Sequence, residues 1–162
     1  MIIFDLDGTL ANCEHRRHLV DSSIPDPIRP YKLELKWSPD WKAFYEACDK
    51  DEPIYPTLEL IDKLLSIDMD IQIWSGRCES VRKKTDIWLK KYIDYFPMIL
   101  DVKMRPIGDN MPDDQLKERW LDEALAEGKK IDFVFDDRPK VVRMWRRRGI
   151  FVFDCNQDGK EF

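Results

Sequence analysis

The chain has 162 residues, of which 43% are hydrophobic and 36% are charged, a balance typical of one globular domain over residues 1–162. No run approaches the ~18 apolar residues that a membrane helix requires, and no basic stretch precedes the first apolar run, so neither a membrane protein nor a secretory signal is expected. The net charge of −5 disfavours broad nucleic-acid binding but permits a locally basic groove. The four cysteines show no close pairing pattern, which favours reduced thiols and a cytoplasmic protein.

Short apolar runs alternate with amphipathic segments along most of the chain. The runs predict strands at residues 1–5, 70–74, 99–104, 131–135 and 150–153. The amphipathic segments predict helices at residues 56–67, 79–92, 113–127 and 139–148. Asp113 or Asp114 is a candidate N-cap for the third of these helices, and Gly128 a candidate stop. This alternation predicts a three-layer, Rossmann-like α/β fold with a mostly parallel sheet covered on both faces.

Residues 12–55 interrupt this alternation and predict a small, cap-like insertion after the first strand. The segment contains five prolines, Pro25, Pro27, Pro30, Pro39 and Pro53, and one short helical pattern at residues 40–48. Ligands of open α/β sheets bind at the carboxyl ends of the strands, so we expect this insertion to form a lid or substrate pocket. A surface excursion that only shields the sheet is the alternative. Aromatic residues in the insertion that could stack on a base are Trp37, Trp41, Phe44 and Tyr45.

Two carboxylates, Asp5 and Asp7, end the first strand two residues apart and are followed by Gly8 and Thr9. Alternate residues of a strand face the same side, and like charges held so close resist joint ionisation. A cation or a chemical role offsets that cost, and the arrangement suits a Mg²⁺ site in which one carboxylate attacks phosphorus. An ordinary strand-end turn is the simpler interpretation of the pair alone.

Further polar groups follow other predicted strands or begin a helix. They are Ser75, Gly76 and Arg77, then Lys117, and finally Asp136, Asp137 and Arg138. In a parallel sheet all of them converge on one edge, where carboxylates can hold Mg²⁺ and Ser75 and Lys117 can stabilise phosphoryl oxygens. Taken singly, Ser75 or the paired aspartates suit a helix cap, and Lys117 suits a solvated helix face.

The ordered set Asp5-Leu6-Asp7-Gly8-Thr9, Ser75, Lys117 and Asp136-Asp137 resembles the four motifs of the haloacid dehalogenase (HAD) superfamily. A closer resemblance is to the 3′-phosphatase domains of bacteriophage polynucleotide kinase/phosphatases. It rests on residues 74–77, on Asp113 and Asp114 ahead of Lys117, on residues 136–147, and on Arg16.

The resemblance implies a role for each matching position. Asp5 would be the nucleophile that forms an aspartyl-phosphate, and Asp7 the general acid and then the general base. Ser75 and Lys117 would hold the transferring phosphoryl group. The implied Mg²⁺ ligands are Asp5, the main-chain carbonyl of Asp7, Asp136 and Asp137. The implied substrate-binding residues are Thr9, Arg16, Gly76, Arg77 and Asp113, the last of which would orient Lys117.

These expectations favour a Mg²⁺-dependent phosphatase that acts on the 3′-phosphate of a nucleic-acid end or a nucleotide. A phosphatase of nucleoside monophosphates or sugar phosphates is a second enzyme hypothesis, and an inactive HAD-fold binding module is a hypothesis of another class. The chain has no G-x-x-x-x-G-K-[ST] loop, so kinase activity is not predicted, and a separate kinase or ligase partner is compatible with the pattern. Membrane association is not expected, and the sequence does not indicate an oligomeric state.

Overall fold

A computed structural model describes residues 1–25, 27, 37–157 and 159 of the chain. Its strands are β1 (Ile2–Phe4), β2 (Ala11–Asn12), β3 (Glu52–Pro53), β4 (Ile71–Cys78), β5 (Asp101–Arg105), β6 (Phe133–Asp136) and β7 (Val152–Asp154). Its helices are α1 (Glu14–Arg17), α2 (Trp41–Glu46), α3 (Tyr55–Leu65), α4 (Arg82–Tyr92), α5 (Asp113–Ala126) and α6 (Pro139–Arg147). Short 3₁₀ turns occur at Cys48–Lys50, Glu79–Val81 and Phe96–Met98.

Five strands form a parallel sheet in the order β5-β4-β1-β6-β7, which confirms the predicted fold class. The first strand is central: Ile2 pairs with Ile71 on one side and with Phe133 on the other. Parallel neighbours need long crossover connections, and the helices provide them. The carboxyl ends of all five strands therefore point to one edge.

Helices cover both faces of this sheet, and β1 contributes side chains to each of the two cores. Ile2 and Phe4 join the core cluster that contains residues of α3 and α4, whereas Ile3 joins the cluster that contains residues of α5 and α6. Successive side chains of a strand point to opposite faces, so an uninterrupted apolar run is what a strand buried on both sides requires. The described helices include none that is long and apolar enough to cross a membrane.

Two local predictions are corrected by the structure. Residues 75–77 do not follow the second strand of the sheet but belong to it, because β5 continues to supply partners: Ser75 pairs with Met104 and Cys78 with Arg105, with an irregular register between them. The N-cap of α5 is Pro112 rather than an aspartate. Asp113 lies in the first helical turn, where its carboxylate contacts arginines instead of capping the helix.

The segment at residues 12–55 is described except for residue 26 and residues 28–36, which include Pro30. Its two ends are tied by the antiparallel pair β2–β3, in which Ala11 pairs with Pro53. The helix expected at residues 40–48 is present as α2 followed by a 3₁₀ turn, and the Asp40 side chain accepts a hydrogen bond from the Ala43 amide at 2.9 Å. The strands β2 and β3 were not predicted, since two residues carry no readable alternation.

Candidate active site

The carboxyl ends of the three central strands bring the predicted acidic and polar residues together. Asp5 directly follows β1, Ser75 lies within β4, and Asp136 ends β6. The Asp5 amide donates a 2.8 Å hydrogen bond to the Phe135 carbonyl, which extends the β1–β6 pairing up to the first carboxylate. The predicted convergence on one sheet edge is thus present.

Three carboxylates, Asp5, Asp136 and Asp137, each place an oxygen within 4.8 Å of the others. All three are buried. The Lys117 ammonium lies between two of them, 2.5 Å from Asp5 Oδ1 and 2.7 Å from Asp136 Oδ2. Gly8 makes room for the third, because a Cβ at this position would lie 1.9 Å from Asp137 Oδ2.

Burial and crowding disfavour ionisation of this carboxylate cluster. Burial raises the pKa of Asp5 to about 7, although the Lys117 charge acts in the opposite direction. Burial and the neighbouring Asp5 and Asp136 charges also hold the pKa of Asp137 well above its ordinary value. Lys117 is almost fully buried, and its pKa is raised because the attraction of Asp136 and Asp5 outweighs its own desolvation. Such a site favours additional positive charge.

Asp7 points away from this cluster into a second one, formed with Arg16, Arg77 and Asp51. Arg77 Nη2 lies 2.5 Å from Asp7 Oδ1 and 2.5 Å from Asp51 Oδ2. Arg16 Nη2 lies 2.7 Å from the same two carboxylate oxygens. Although burial opposes ionisation, the Arg77 and Arg16 charges lower the pKa of Asp7 below its ordinary value. Both arginines are buried, so their direct partners are these carboxylates.

Asp51 is a residue that the sequence reasoning missed. Asp51 is 3% exposed, and its carboxylate accepts hydrogen bonds from Arg16 and Arg77. Its Oδ1 also lies 2.8 Å from His15 Nε2. Its carbonyl accepts a 2.8 Å hydrogen bond from the Trp88 indole. In sequence it is one of three closely spaced acidic residues in a polar stretch, and no local pattern distinguishes it from Asp49 or Glu52.

Asp113 has a different geometry from the one expected. Its carboxylate binds Arg105 and Arg138, whereas Lys117 bonds to the aspartates of the carboxylate cluster. The role of orienting Lys117 is therefore not supported by a direct contact. Asp113 packs against Gly76, where a Cβ would lie 2.8 Å from its Oδ1, and Arg105 Nε donates to the Gly76 carbonyl at 3.0 Å. Arg105 was also missed, because it lies at the end of a strand without a motif.

The remaining predicted site residues are Ser75, Thr9 and Gly76, and the first two are buried beneath the cleft surface. Ser75 is fully buried, and its Oγ accepts a 3.2 Å hydrogen bond from the Arg77 amide. Thr9 is fully buried as well, and its carbonyl accepts a hydrogen bond from the Thr57 hydroxyl. Gly76 alone of these three lines the cleft above the carboxylates.

The cleft at this edge has a volume of about 1320 Å³ and is lined by Asp5, Asp7, Gly8, Lys117 and Asp137 at its floor. Its walls include the aromatic residues Trp37, Trp41, Tyr45 and Tyr55 and the basic residues Arg17, Arg138 and Lys140. Phe44 was also a candidate for base stacking, but it is 7% exposed and the Arg16 guanidinium covers its ring at 4.0 Å. Phe44 lines the cleft, but its burial and the arginine over its ring leave less of it available for stacking than Trp41.

Residues 41–159 match the family model described as the polynucleotide kinase PNKP phosphatase domain. The chain belongs to this family. It is therefore a phosphatase of the HAD type, as the motifs indicated, and the structural neighbours include HAD hydrolases.

Relatives of this phosphatase family include viral and RNA-repair proteins. A protein of Autographa californica nuclear polyhedrosis virus, described as a bifunctional polynucleotide kinase/RNA ligase, is 36% identical over 129 residues, which are 76% of this chain and 18% of the viral protein. A chain of the solved Pnkp1/Rnl/Hen1 complex is 26% identical, with a TM-score of 0.70 over 95% of this chain and 45% of that chain. The chain thus spans less than half the length of either relative.

The fold extends to more distant hydrolases. A HAD-like hydrolase of Streptococcus pneumoniae is 15% identical, with a TM-score of 0.60 over 94% of this chain and 82% of that chain. At this identity the likeness concerns the fold alone. The family's polynucleotide-repair members are consequently the more informative relatives.

Proposed function

We propose that the chain is a Mg²⁺-dependent phosphomonoesterase that removes the 3′-phosphate of a nucleic-acid end through an aspartyl-phosphate. The observation that supports the chemistry is the buried cluster of Asp5, Asp136 and Asp137 around Lys117. An unprotonated carboxylate beside a cation site and a fixed ammonium is what phosphoryl transfer to a carboxylate requires.

The donor set of this cluster fits Mg²⁺. Hard divalent cations prefer carboxylate and carbonyl oxygens, and Mg²⁺ is commonly held by a few carboxylates. Asp5, Asp136 and Asp137 would hold the ion, with the Asp7 carbonyl as an additional candidate. When bound, the ion supplies charge neutralisation for the phosphoryl group and for the crowded carboxylates.

In the first proposed step, a carboxylate oxygen of Asp5 attacks phosphorus and the bond from phosphorus to the 3′-oxygen breaks. The leaving oxygen takes a proton from Asp7, while Lys117 and Ser75 stabilise the equatorial phosphoryl oxygens. In the second step, Asp7 removes a proton from water, which attacks phosphorus and breaks the bond to Asp5. Free phosphate leaves and both carboxyl groups return to their initial states.

Asp7 must carry a proton when the substrate is bound, yet Arg16 and Arg77 favour its ionised form in the free protein. A phosphate dianion bound beside Asp7 adds negative charge and raises the pKa of this carboxyl. The buried arginines therefore act on the substrate through Asp7, and substrate binding itself prepares the general acid.

The nucleic-acid end is proposed from the relatives. One is described as a polynucleotide kinase/RNA ligase and another belongs to an RNA repair complex, so a kinase or ligase partner for this chain is part of the proposal. The segment at residues 12–55 is proposed as a lid over a single catalytic unit, since Trp41, Tyr45 and Pro53 of that segment line the cleft.

The test is phosphate release with Mg²⁺ or with EDTA from four substrates: a 3′-phosphorylated oligonucleotide, its 5′-phosphorylated counterpart, and the 3′- and 5′-mononucleotides. We expect Mg²⁺-dependent release with a preference for the 3′-phosphorylated oligonucleotide, and a loss in Asp5→Asn on the order of 10³-fold or more. Preference for a mononucleotide would replace the polymer with a small-molecule substrate. Full activity of Asp5→Asn would contradict the proposed chemistry.

A further inference from the structure

Two aromatic side chains in the wall of the cleft, Trp41 and Tyr55, are strongly exposed, and Trp41 belongs to the segment that is packed against the site. Trp41, the first residue of α2, lines the cleft and remains 45% exposed. Its ring stands edge-on to the buried Phe44, with centroids 5.7 Å apart and an interplanar angle of 81°. Tyr45 adds a second ring contact at 6.0 Å. The Trp41 indole thus packs against Phe44 and Tyr45 on one side, while a large part of it is exposed in the cleft.

The helix that carries this ring is anchored to the catalytic residues. The Phe44 carbonyl accepts a 3.1 Å hydrogen bond from Arg16 Nη1, and Nη2 of the same arginine lies 2.7 Å from Asp7. The Tyr45 hydroxyl donates to the Gly76 carbonyl at 3.4 Å. Two separate contacts therefore fix α2 relative to the catalytic floor, and a platform that is fixed before binding loses little freedom when a ligand arrives.

The charged side chains of the cleft wall do not indicate that a charged ligand binds against Trp41. Several acidic side chains that line the wall are already paired: Glu14 and Asp21 with Arg17, and Asp109 and Asp113 with Arg105. The exposed face of Trp41 in the same wall suits a flat, uncharged group. A nucleobase is such a group, and every base has a π-face that stacks on an aromatic side chain.

We propose that Trp41 is the stacking platform for the base that neighbours the phosphate being removed. This inference rests on the proposed function and adds that the enzyme recognises the base of the terminal nucleotide as well as its phosphate. Trp41 is then a specificity-determining residue: it contributes to binding of the end and takes no part in bond breaking.

The test compares two 3′-phosphorylated oligonucleotides that differ only in the terminal nucleoside, one with a base and one abasic. In the wild type we expect a lower KM for the base-bearing end, by about 5- to 140-fold, from one base–aromatic stack. Trp41→Ala should remove this preference, and Trp41→Phe should restore most of it. Phe151→Ala, which removes an aromatic that is 65% exposed and does not line the cleft, should keep the preference.

The outcomes separate the inference about Trp41 from the proposed phosphatase function. An equal rise in KM for both ends in Trp41→Ala would mean that the ring supports the helix and not the base, and would overturn the inference. An unchanged preference in Trp41→Ala would overturn it as well, while the phosphatase proposal stands. If the wild type releases phosphate from neither end, the proposed function fails and the inference fails with it.

Discussion

At the scale of single residues, Gly8 in the first motif is required for two reasons: its backbone conformation, and the close approach of the Asp137 carboxylate. Gly8 has φ +86°, and a Cβ there would lie 1.9 Å from Asp137 Oδ2. Alanine at Gly8 therefore adds a collision with a carboxylate of the cluster to the ordinary cost of a left-handed residue, which is about 1–2 kcal/mol. The glycine that follows the first two carboxylates thus belongs to the site.

Gly8→Ala is expected to lower the rate of phosphate release by about 100-fold, because displacement of Asp137 by an ångström or more disturbs the proposed cation site. Gly128→Ala is the matched control: this glycine has φ +77° and nothing within 4 Å of the added Cβ. Both variants should show the backbone strain in urea unfolding, and only Gly8→Ala should lose activity. Equal activity in the two variants would show that Asp137 tolerates the displacement.

Asp51 forms ion pairs with two buried arginines, and we expect its substitution to lower the free energy of unfolding. In Asp51→Asn, Arg16 and Arg77 share the single carboxylate of Asp7, and a buried pair that loses one partner is destabilised by about 3–5 kcal/mol. The free energy of unfolding in urea measures this loss. Asp49→Asn, two residues away, removes only a half-exposed charge 3.7 Å from Lys84 and should change stability by less than about 0.5 kcal/mol. Similar losses in both variants would argue against the buried network.

At the scale of elements, a tryptophan cluster joins the sheet to the two helices on one face. Trp74 of β4 has its ring centroid 5.9 Å from Trp120 of α5 and 5.8 Å from Trp145 of α6. Trp145 also reaches the site, since its indole N–H donates to Asp136 Oδ2 at 3.3 Å. The helix α6 is therefore connected to the carboxylate cluster through packing and through one hydrogen bond.

Trp145→Phe should keep most of the packing and remove the hydrogen bond to Asp136. Outer hydrogen-bond partners of a metal ligand contribute about 10–100-fold to metal affinity, so we expect the Mg²⁺ concentration for half-maximal phosphate release to rise by about 10-fold. Trp120→Phe removes the same volume from the same cluster and has no such bond to Asp136 among the described contacts. A rise of the same size in both variants would attribute the effect to packing alone.

The elements themselves were largely predictable. Apolar runs and helical spacing located the five strands of the main sheet and α3 to α6 to within a few residues, because each buries a face over several turns or alternations. The strands β2 and β3 were not predictable at two residues each, and β4 is longer than its apolar run because β5 pairs with residues 75–78. Long-range pairing, not local pattern, determined where these elements end.

The carboxylate cluster was predictable for a related reason. Asp5 and Asp136 lie at the carboxyl ends of neighbouring parallel strands, and Lys117 lies near the start of α5, so the topology expected from the alternating pattern brings them to one edge. Asp51 was not predictable, since its partners Arg16 and Arg77 are distant in sequence. Arg105 was not predictable either, because its contact with Asp113 depends on how the loop between β5 and α5 folds. Nothing in the residues adjacent to them signals those contacts.

At the scale of the whole molecule, the position of β1 in the centre of the sheet has a consequence for how the site comes into being. The first strand has no sequential neighbour to pair with, since its partners are β4 and β6. Closing such distant contacts is slow, because chain entropy is lost before the pairing stabilises the structure. During synthesis Asp5 emerges well before Asp136 and Asp137, and it acquires them as neighbours only when β6 is complete. The carboxylate cluster is therefore among the last features to assemble, and a nascent chain that stops before β6 carries the first motif without the carboxylates that surround it in the fold.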